Sequence, residues 1–165
     1  MPTADVSARP AVPGDEEDIA QIQLDAWSGM LGAEAVAGLP RDQILAQWTA
    51  AIEAPPTREH RMFVATEAGN VVGFAALAIN EVIALEVSPE HRRAGHGSRL
   101  LAACVDTMKI FGAVEARAWA IDGDSEREAF LTSAGFGRGG IRRGIDGPQE
   151  ELHEQLWRAA IDHQA

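Results

Sequence analysis

The sequence has only one cysteine, Cys104, so an internal disulfide cannot form. The spacing of Leu101, Cys104 and Met108 places the thiol on the apolar side of a predicted helix, where we expect an inert core residue. The five histidines show no metal-ligand spacing with one another or with Cys104. These absences exclude a disulfide-stabilised fold and give no indication of a metal site.

Long hydrophobic runs are also missing. No apolar stretch reaches the roughly 18 residues that a membrane span needs, and residues 1–5 lack the basic and apolar regions of a signal peptide. The formal net charge of −11 makes the chain a poor binder of nucleic acid, because that binding depends on basic residues. We therefore expect a cytoplasmic protein that has neither a membrane nor a nucleic acid as partner.

A length of 165 residues and a hydrophobic content of 46% are enough for one domain with a real core. Hydrophobic periodicity predicts helices in the first third of the chain and several strands after residue 61. The predicted elements are a flexible tail (1–7), an edge strand (8–12), helices that begin at Asp15 and Pro40, the second ended by Pro55, a hairpin (62–65 and 71–75), a strand (82–87), a helix (98–111), a strand (114–121) and a helix from Ser125 to Gly135.

The last part of the chain gives an ambiguous pattern. Residues 137–147 are rich in glycine and are compatible with a twisted strand. Residues 151–161 fit a helix as well as a strand, because Leu152 and Leu156 are four positions apart. The order of helices and strands predicts a mixed sheet with helices on both faces.

The most informative stretch runs from Arg92 to Ser98 and contains two glycines. It follows an apolar strand and opens an apolar helix, so it presents unpaired backbone N–H groups at the positive end of a helix dipole. Such an arrangement binds phosphate groups. Two common phosphate-binding motifs do not fit. The only lysine, Lys109, lies inside the helix, and Leu100 stands where a dinucleotide-binding motif needs its third glycine.

The context of this loop carries a resemblance to a known family. Val87-Ser88-Pro89 followed by Arg92-x-x-Gly95-x-Gly97 resembles the acetyl-CoA pyrophosphate loop of the GNAT N-acetyltransferase superfamily. Phe130 and Gly135-Phe136 resemble a second block of that family near the end of its fold. The elements of residues 8–158 can be aligned with the family's order of strands and helices.

The resemblance implies a single α/β (α+β) domain over residues 8–165. Its sheet is mixed and mostly antiparallel, with helices on both faces and a V-shaped splay between two central strands. The implied division is acceptor-side helices (15–54), an acetyl-CoA core (61–136) and C-terminal strands (137–158), which makes residues 150–158 the last strand.

By the same resemblance, acetyl-CoA is the cofactor, and main-chain N–H groups from Arg93 to Ser98 hold its pyrophosphate. The 3′-phosphate of its adenosine meets either Arg92 or Arg99. Asp124 either contacts an amide of the cofactor or caps the next helix. The implied cofactor-binding residues are Leu85, Glu86, Val87, Arg92, Arg93, Ala94, Gly95, His96, Gly97, Ser98, Asp124 and Phe130.

An acceptor amine is protonated at neutral pH and must lose a proton before it attacks, so a carboxylate at the cleft is needed as a base. Resemblance to the histone-acetyltransferase branch gives this role to Glu81, six residues before Val87, with Glu86 as its competitor. Strand alternation puts Glu81 on the face of Val87 and Glu86 on the opposite face. The resemblance also makes the Val87 N–H the oxyanion donor, and Trp27 is a candidate for the wall of the acceptor site.

The sequence departs from the family pattern in having no tyrosine. Many relatives carry one at the position of Leu131, as the acid for the leaving thiolate, so the acid here is water, Ser125 or the ammonium proton itself. The expected function is acetyl-CoA-dependent transfer of an acetyl group to the amine of a small molecule or peptide, by a monomer or a homodimer. The alternatives are an acyl-CoA sensor or a catalytically degenerate module, and transfer of longer acyl groups or to a hydroxyl.

Overall fold

The computed structural model describes residues 6–145 and 152–163, and within them the chain forms seven strands and five α-helices. A short 3-10 turn, Pro89–His91, precedes the fourth helix. The elements in chain order are β1 (Val6–Pro10), α1 (Glu16–Leu31), α2 (Ala33–Ala37), α3 (Arg41–Glu53), β2 (His60–Glu67), β3 (Asn70–Ala78), β4 (Glu81–Val87), α4 (His96–Ile110), β5 (Glu115–Ile121), α5 (Ser125–Ser133), β6 (Gly137–Ile145) and β7 (Leu152–Ala160).

The seven strands form one sheet in the order β1-β2-β3-β4-β5-β7-β6. All neighbouring strands are antiparallel except β4 and β5, which run parallel. This parallel pair is joined only at its beginning, where Glu81 pairs with Arg117 and Val82 with Ala118. The two strands therefore separate towards their C-terminal ends, and the predicted mixed sheet with a V-shaped splay is confirmed.

Helices cover both faces of the sheet. On one face α4 buries Leu100, Cys104 and Met108 in the main core. On the other face α1 packs Ile19 and Ile22 against Phe74 of β3. Burial raises the pKa of the Cys104 thiol to about 12, so the thiol is protonated and inert at neutral pH, as predicted.

An irregularity in β4 changes which residues share a face. Ala76 of β3 pairs with Ala84, but the next residue, Leu77, pairs with Val82, so Ile83 is an extra residue in β4. Opposed residues of an antiparallel pair lie on the same face. A single extra residue reverses the alternation of the strand, and residues on either side of Ile83 cannot be assigned to faces by counting.

The bulge corrects the predicted placement of the two glutamates. Glu86 pairs with Phe74, and Glu81 pairs with Ala78, four residues further along the same strand. Both glutamates therefore lie on the face covered by α1 and α3, whereas Val87 lies on the α4 face with its partner Gly73. The prediction that Glu81 shares the face of Val87 is wrong because strand alternation was counted through the bulge.

Both ends of the chain show smaller differences from the predicted elements. The first strand begins at Val6, so part of the predicted tail belongs to the sheet, and residues 1–5 lie outside the described residues. Residues 152–160 form a strand, as the resemblance implied, because β7 pairs with both β5 and β6. Residues 146–151, including the end of the predicted glycine-rich strand, lie outside the described residues. Among the described residues, no helix is both long and apolar enough to cross a lipid bilayer.

Asp15 stabilises the junction between β1 and α1. Its carboxylate accepts hydrogen bonds from Arg9 Nη1 at 2.8 Å, Arg9 Nη2 at 3.1 Å and the Val12 N–H at 2.8 Å. Burial alone would raise the pKa of Asp15, but the bonds from Arg9 and Val12 outweigh it and lower that pKa. Asp15 is the N-cap residue of α1, yet its side chain makes no capping bond to the helix.

Asp15→Ala is expected to lower the free energy of unfolding by about 2 kcal/mol at neutral pH, since it removes charged hydrogen bonds and leaves the Val12 N–H without its acceptor. A carboxyl with a lowered pKa stabilises the fold above its unfolded-state pKa, and this contribution is lost as the pH falls through the folded-state pKa. Denaturant unfolding at neutral and acidic pH measures both effects. If the free energies of unfolding of Asp15→Ala and wild type differ as much in acid as at neutral pH, this role of Asp15 is contradicted.

Candidate active site

A cavity of about 980 Å³ lies at the open end of the V. Its walls come from the C-terminal half of α1, the end of β4, the loop that leads into α4, and α5. The end of β5 and Leu152 of β7 complete it. The cavity thus collects residues from distant parts of the sequence at the point where two sheet strands separate, which is where open α/β sheets bind ligands.

The loop before α4 is shaped to expose backbone N–H groups. Gly95 is the N-cap of α4 and has a left-handed backbone conformation with φ of 83°, which glycine adopts without strain. Among the residues that the structure describes, no side chain caps this end of the helix, so the first-turn N–H groups keep their capacity to bind an anion. Arg92 and Arg93 line the cavity beside the loop and add positive charge there.

The two arginines that could meet the 3′-phosphate have different surroundings. Arg92 lines the cavity, and its Nε donates to the Val87 carbonyl at 3.2 Å. Arg99 instead donates from Nη1 to the Ala94 carbonyl at 3.1 Å and holds the loop in shape. The geometry favours Arg92 as the phosphate contact. His96 contributes no exposed side chain, because its ring is buried below the loop, 3.8 Å from Glu67.

Gly97 keeps the passage between α4 and α5 open. A Cβ atom at this position would lie 3.4 Å from the ring of Phe130 and 3.9 Å from the side chain of Leu85. A larger side chain would therefore fill the space that these two cavity-lining residues border. Of the predicted loop residues, all but Ala94 line this groove together with Leu85 and Phe130, and its shape suits a narrow ligand ending in an anion.

The edge of β4 offers main-chain groups to this groove. The Ser88 N–H donates to Val72 of β3 at 2.8 Å, and because successive N–H groups of a strand point in opposite directions, the Val87 N–H points away from β3 into the V. The carbonyls of Leu85 and Val87 accept bonds from Arg127 and Arg92, respectively. The Val87 N–H therefore faces the groove, and its role as the oxyanion donor stays a prediction.

Sequence reasoning missed Arg127, which reaches from α5 to β4. Its Nη2 donates to the Leu85 carbonyl at 2.6 Å and to Glu86 Oε1 at 2.9 Å. One signal was available in the sequence. A cation in the first turn of a helix is unfavourable beside the positive end of the dipole, so a residue such as Arg127 calls for a partner elsewhere.

Glu86 is a partly buried carboxylate that lines the cavity. Burial raises the pKa of the Glu86 carboxyl above its usual range, and the nearby Asp124 adds to this shift. The positive charges of Arg127 and Arg92 oppose the shift but do not cancel it. A carboxyl with a raised pKa binds a proton more readily, which is what a general base requires.

Two other predicted site residues, Glu81 and Trp27, do not line the cavity. Glu81 lies at the closed end of the V, where its Oε1 accepts a bond from Trp119 Nε1 at 2.8 Å, and it is not part of the cavity wall. Trp27 packs in an apolar cluster with Leu24 and Ile44 rather than lining the cavity.

Asp124 occupies the second of its two predicted positions. Its Oδ1 accepts the Arg127 N–H at 3.1 Å, so Asp124 is the N-cap of α5. Asp124 also lines the cavity, and contact with a cofactor amide stays a prediction.

Several solved structures share this fold. The structure of yncA from Salmonella typhimurium, solved with its cofactor acetyl-CoA, is 20% identical in sequence, with a TM-score of 0.75 over 98% of this chain and 97% of that chain. The paiA N-acetyltransferase of Thermoplasma acidophilum, in complex with coenzyme A, is 18% identical, with a TM-score of 0.73 over 94% and 98%.

A third similar structure is the ribosomal-protein-S18-alanine N-acetyltransferase of Escherichia coli. It is 16% identical, with a TM-score of 0.67 over 97% of this chain and 96% of that chain. No curated protein matches the chain by sequence. Because the model of the acetyltransferase (GNAT) family matches residues 17–136, well over half of the sequence, this protein belongs to that family.

Proposed function

We propose that this protein transfers an acetyl group from acetyl-CoA to the amine of a small molecule or peptide. Acetyl-CoA is the acetyl donor of the family to which the chain belongs. The observation that carries the proposal is the groove itself, in which the uncapped N-terminus of α4 and the inward-pointing Val87 N–H border the same cavity. The N-terminus of α4 suits a diphosphate, and the Val87 N–H suits a carbonyl oxygen.

The residues present fit the cofactor. Main-chain N–H groups from Arg93 to Ser98 would hold the diphosphate, with Arg92 beside them. The main chain of Leu85, Glu86 and Val87 would border the extended arm, and Phe130 would flank it on the α5 side. When bound, acetyl-CoA supplies an acetyl group activated as a thioester.

Val87 and one carboxylate would perform the transfer. The Val87 N–H would donate to the carbonyl oxygen of the acetyl group and stabilise the negative charge that develops there. The base is a carboxylate of the face covered by α1 and α3, where both Glu81 and Glu86 lie. The acceptor would enter beside α1, whose residues Asp25 and Met30 line that side of the cavity. These contacts support the division into acceptor-side helices and a cofactor core.

The leaving thiolate has no tyrosine to protonate it, since the sequence contains none. Leu131, at the position of that tyrosine, is buried and cannot donate a proton. A thiol has a pKa of about 8.5, so a thiolate leaves without strong acid catalysis. Water, Ser125 or the acceptor nitrogen, through its second proton, would protonate the thiolate. A cytoplasmic location and a monomeric or dimeric state stay predictions.

A panel of small amines, amino acids, polyamines and peptides, assayed with acetyl-CoA by the release of free thiol, tests the proposal. We expect thiol release that depends on at least one amine, and mass spectrometry of that amine should show one added acetyl group. The missing tyrosine keeps the acyl-CoA sensor as the second candidate function. Binding of coenzyme A without thiol release for any acceptor would favour the sensor and contradict the enzyme.

A further inference from the structure

Arg127 passes through the gap between β4 and β5. It extends from α5, whose Leu131 is buried in the same core as α4. Glu86 belongs to the opposite face, where its cross-strand neighbour Phe74 packs with α1. Because Arg127 Nη2 reaches the Glu86 carboxylate at 2.9 Å, the guanidinium spans the V from one face of the sheet to the other.

The charges around Glu86 come from three sides of the cavity. Arg127 and Asp124 face it from the α5 side, and Arg92 faces it from the loop before α4. Asp25 lines the cavity from α1. Only Arg127 forms a direct ion pair with Glu86 among the described residues. The orientation of this partly buried carboxylate therefore depends mainly on one side chain.

Glu81 has a different environment. Its carboxylate accepts the indole N–H of Trp119 at the closed end of the V and does not line the cavity. Glu86 lies within the cavity, on the side where α1 would admit an acceptor.

We propose that Glu86 accepts the proton of the acceptor ammonium and that Arg127 is the positioning residue that holds its carboxylate at the mouth of the V. This inference rests on the proposed acetyl transfer. Glu86 takes one proton from the ammonium nitrogen, whose freed lone pair forms the N–C bond as the C–S bond breaks. The second proton of that nitrogen ends on sulfur, and Glu86 returns its own proton to solvent, which balances the products as amide, thiol and one proton.

The shared bond to Leu85 links this pair to the cofactor groove. Arg127 Nη2 donates a hydrogen bond to the Leu85 carbonyl, which belongs to the same open edge of β4 as the Val87 N–H. An amide of a bound arm that paired with this edge would take over the Leu85 carbonyl. Arg127 would then keep its bond to Glu86 alone, and Glu86 would remain oriented while the groove is filled.

A titration of the Glu86 side-chain carboxyl by NMR tests the positioning role without any acceptor. Removal of the positive charge in Arg127→Gln should raise the pKa of Glu86 by about one unit or more, because the ion pair favours the charged form. Arg127→Lys, which keeps the charge, should stay close to wild type. Arg138→Gln is the matched control, since Arg138 pairs with Glu128 outside the cavity lining. An unchanged pKa of Glu86 in a folded Arg127→Gln protein would overturn the positioning role.

Kinetics with the best amine of the panel test the catalytic role. Glu86→Gln should lower kcat by about a hundredfold and leave the KM for acetyl-CoA within about threefold of wild type. Arg127→Gln should move the acidic limb of the kcat/KM profile to higher pH, with recovery in Arg127→Lys. A larger loss in Glu81→Gln than in Glu86→Gln would overturn the assignment. An inactive wild type would contradict acetyl transfer instead, and the carboxyl titration would still decide the role of Arg127.

Discussion

Replacement of Val87 by proline is expected to lower kcat by about 100- to 1000-fold, the usual cost of losing one oxyanion donor. Proline lacks the backbone N–H that points into the V at this position. The same N–H makes no bond to β3, because the ladder bond is made by the neighbouring Ser88 to Val72. The substitution therefore removes the proposed oxyanion donor without breaking the sheet, and Glu86 before it has the extended backbone that proline requires.

The matched control for this change is Val87→Ala, which shortens the side chain but keeps the N–H. Steady-state kinetics should show the large loss of kcat only in the proline variant, and circular dichroism should show that both variants are folded. Retention of more than about a tenth of the wild-type kcat by a folded Val87→Pro protein would contradict the role of this N–H as an oxyanion donor.

Gly95→Val is expected to raise the dissociation constant of coenzyme A by about a hundredfold. The left-handed backbone at Gly95, with φ of 83°, is strongly unfavourable for a β-branched residue. A Cβ atom there would also lie 3.3 Å from the guanidinium of Arg99, which holds the loop through the Ala94 carbonyl. Distortion of the loop would misdirect N–H groups worth about 1.5–3 kcal/mol each towards a charged ligand, so the loss of one or two accounts for the expected change.

Gly112→Val separates loss of binding from loss of stability. Gly112 has the same φ of 83° and follows the opposite end of the helix that Gly95 begins. A Cβ atom at Gly112 meets nothing within 4 Å, so the substitution imposes the backbone strain alone. Calorimetry should show nearly wild-type affinity for coenzyme A in Gly112→Val, although both variants unfold more easily. Equal loss of affinity in the two variants would show that the effect comes from general destabilisation.

The cofactor loop could be predicted from sequence because its physical requirements are local. A strand, two glycines and an amphipathic helix follow one another between residues 81 and 110, and their backbone geometry does not depend on distant contacts. The V could not be derived in this way. It exists because β4 and β5 pair at only two positions, and parallel pairing of distant strands leaves no local pattern.

The choice between the two glutamates shows where sequence reasoning fails at the site. Ile83 is one more apolar residue in an apolar strand, so nothing in the sequence marks it as a bulge. Counting through it placed Glu81 and Glu86 on opposite faces, although they share one face. Arg127 and Glu86 are 41 positions apart, and their ion pair arises only when α5 folds beside β4.

The strand β7 illustrates the opposite case, in which tertiary pairing decides between two local possibilities. The spacing of Leu152 and Leu156 suits one face of a helix and also one face of a strand. Backbone pairing with β5 on one side and β6 on the other satisfies the main chain of residues 152–160 as a strand. Only the family resemblance indicated this outcome in advance.

The proposed function requires that main-chain amides between Arg93 and Ser98 hold the diphosphate of coenzyme A. Titration of the isotope-labelled protein with coenzyme A, followed through backbone amide NMR signals, tests it most directly. We expect saturable shifts that are largest at residues 93–98, with further shifts at Leu85 and Val87. Absence of binding, or binding that shifts a different region and leaves these amides unchanged, would contradict it.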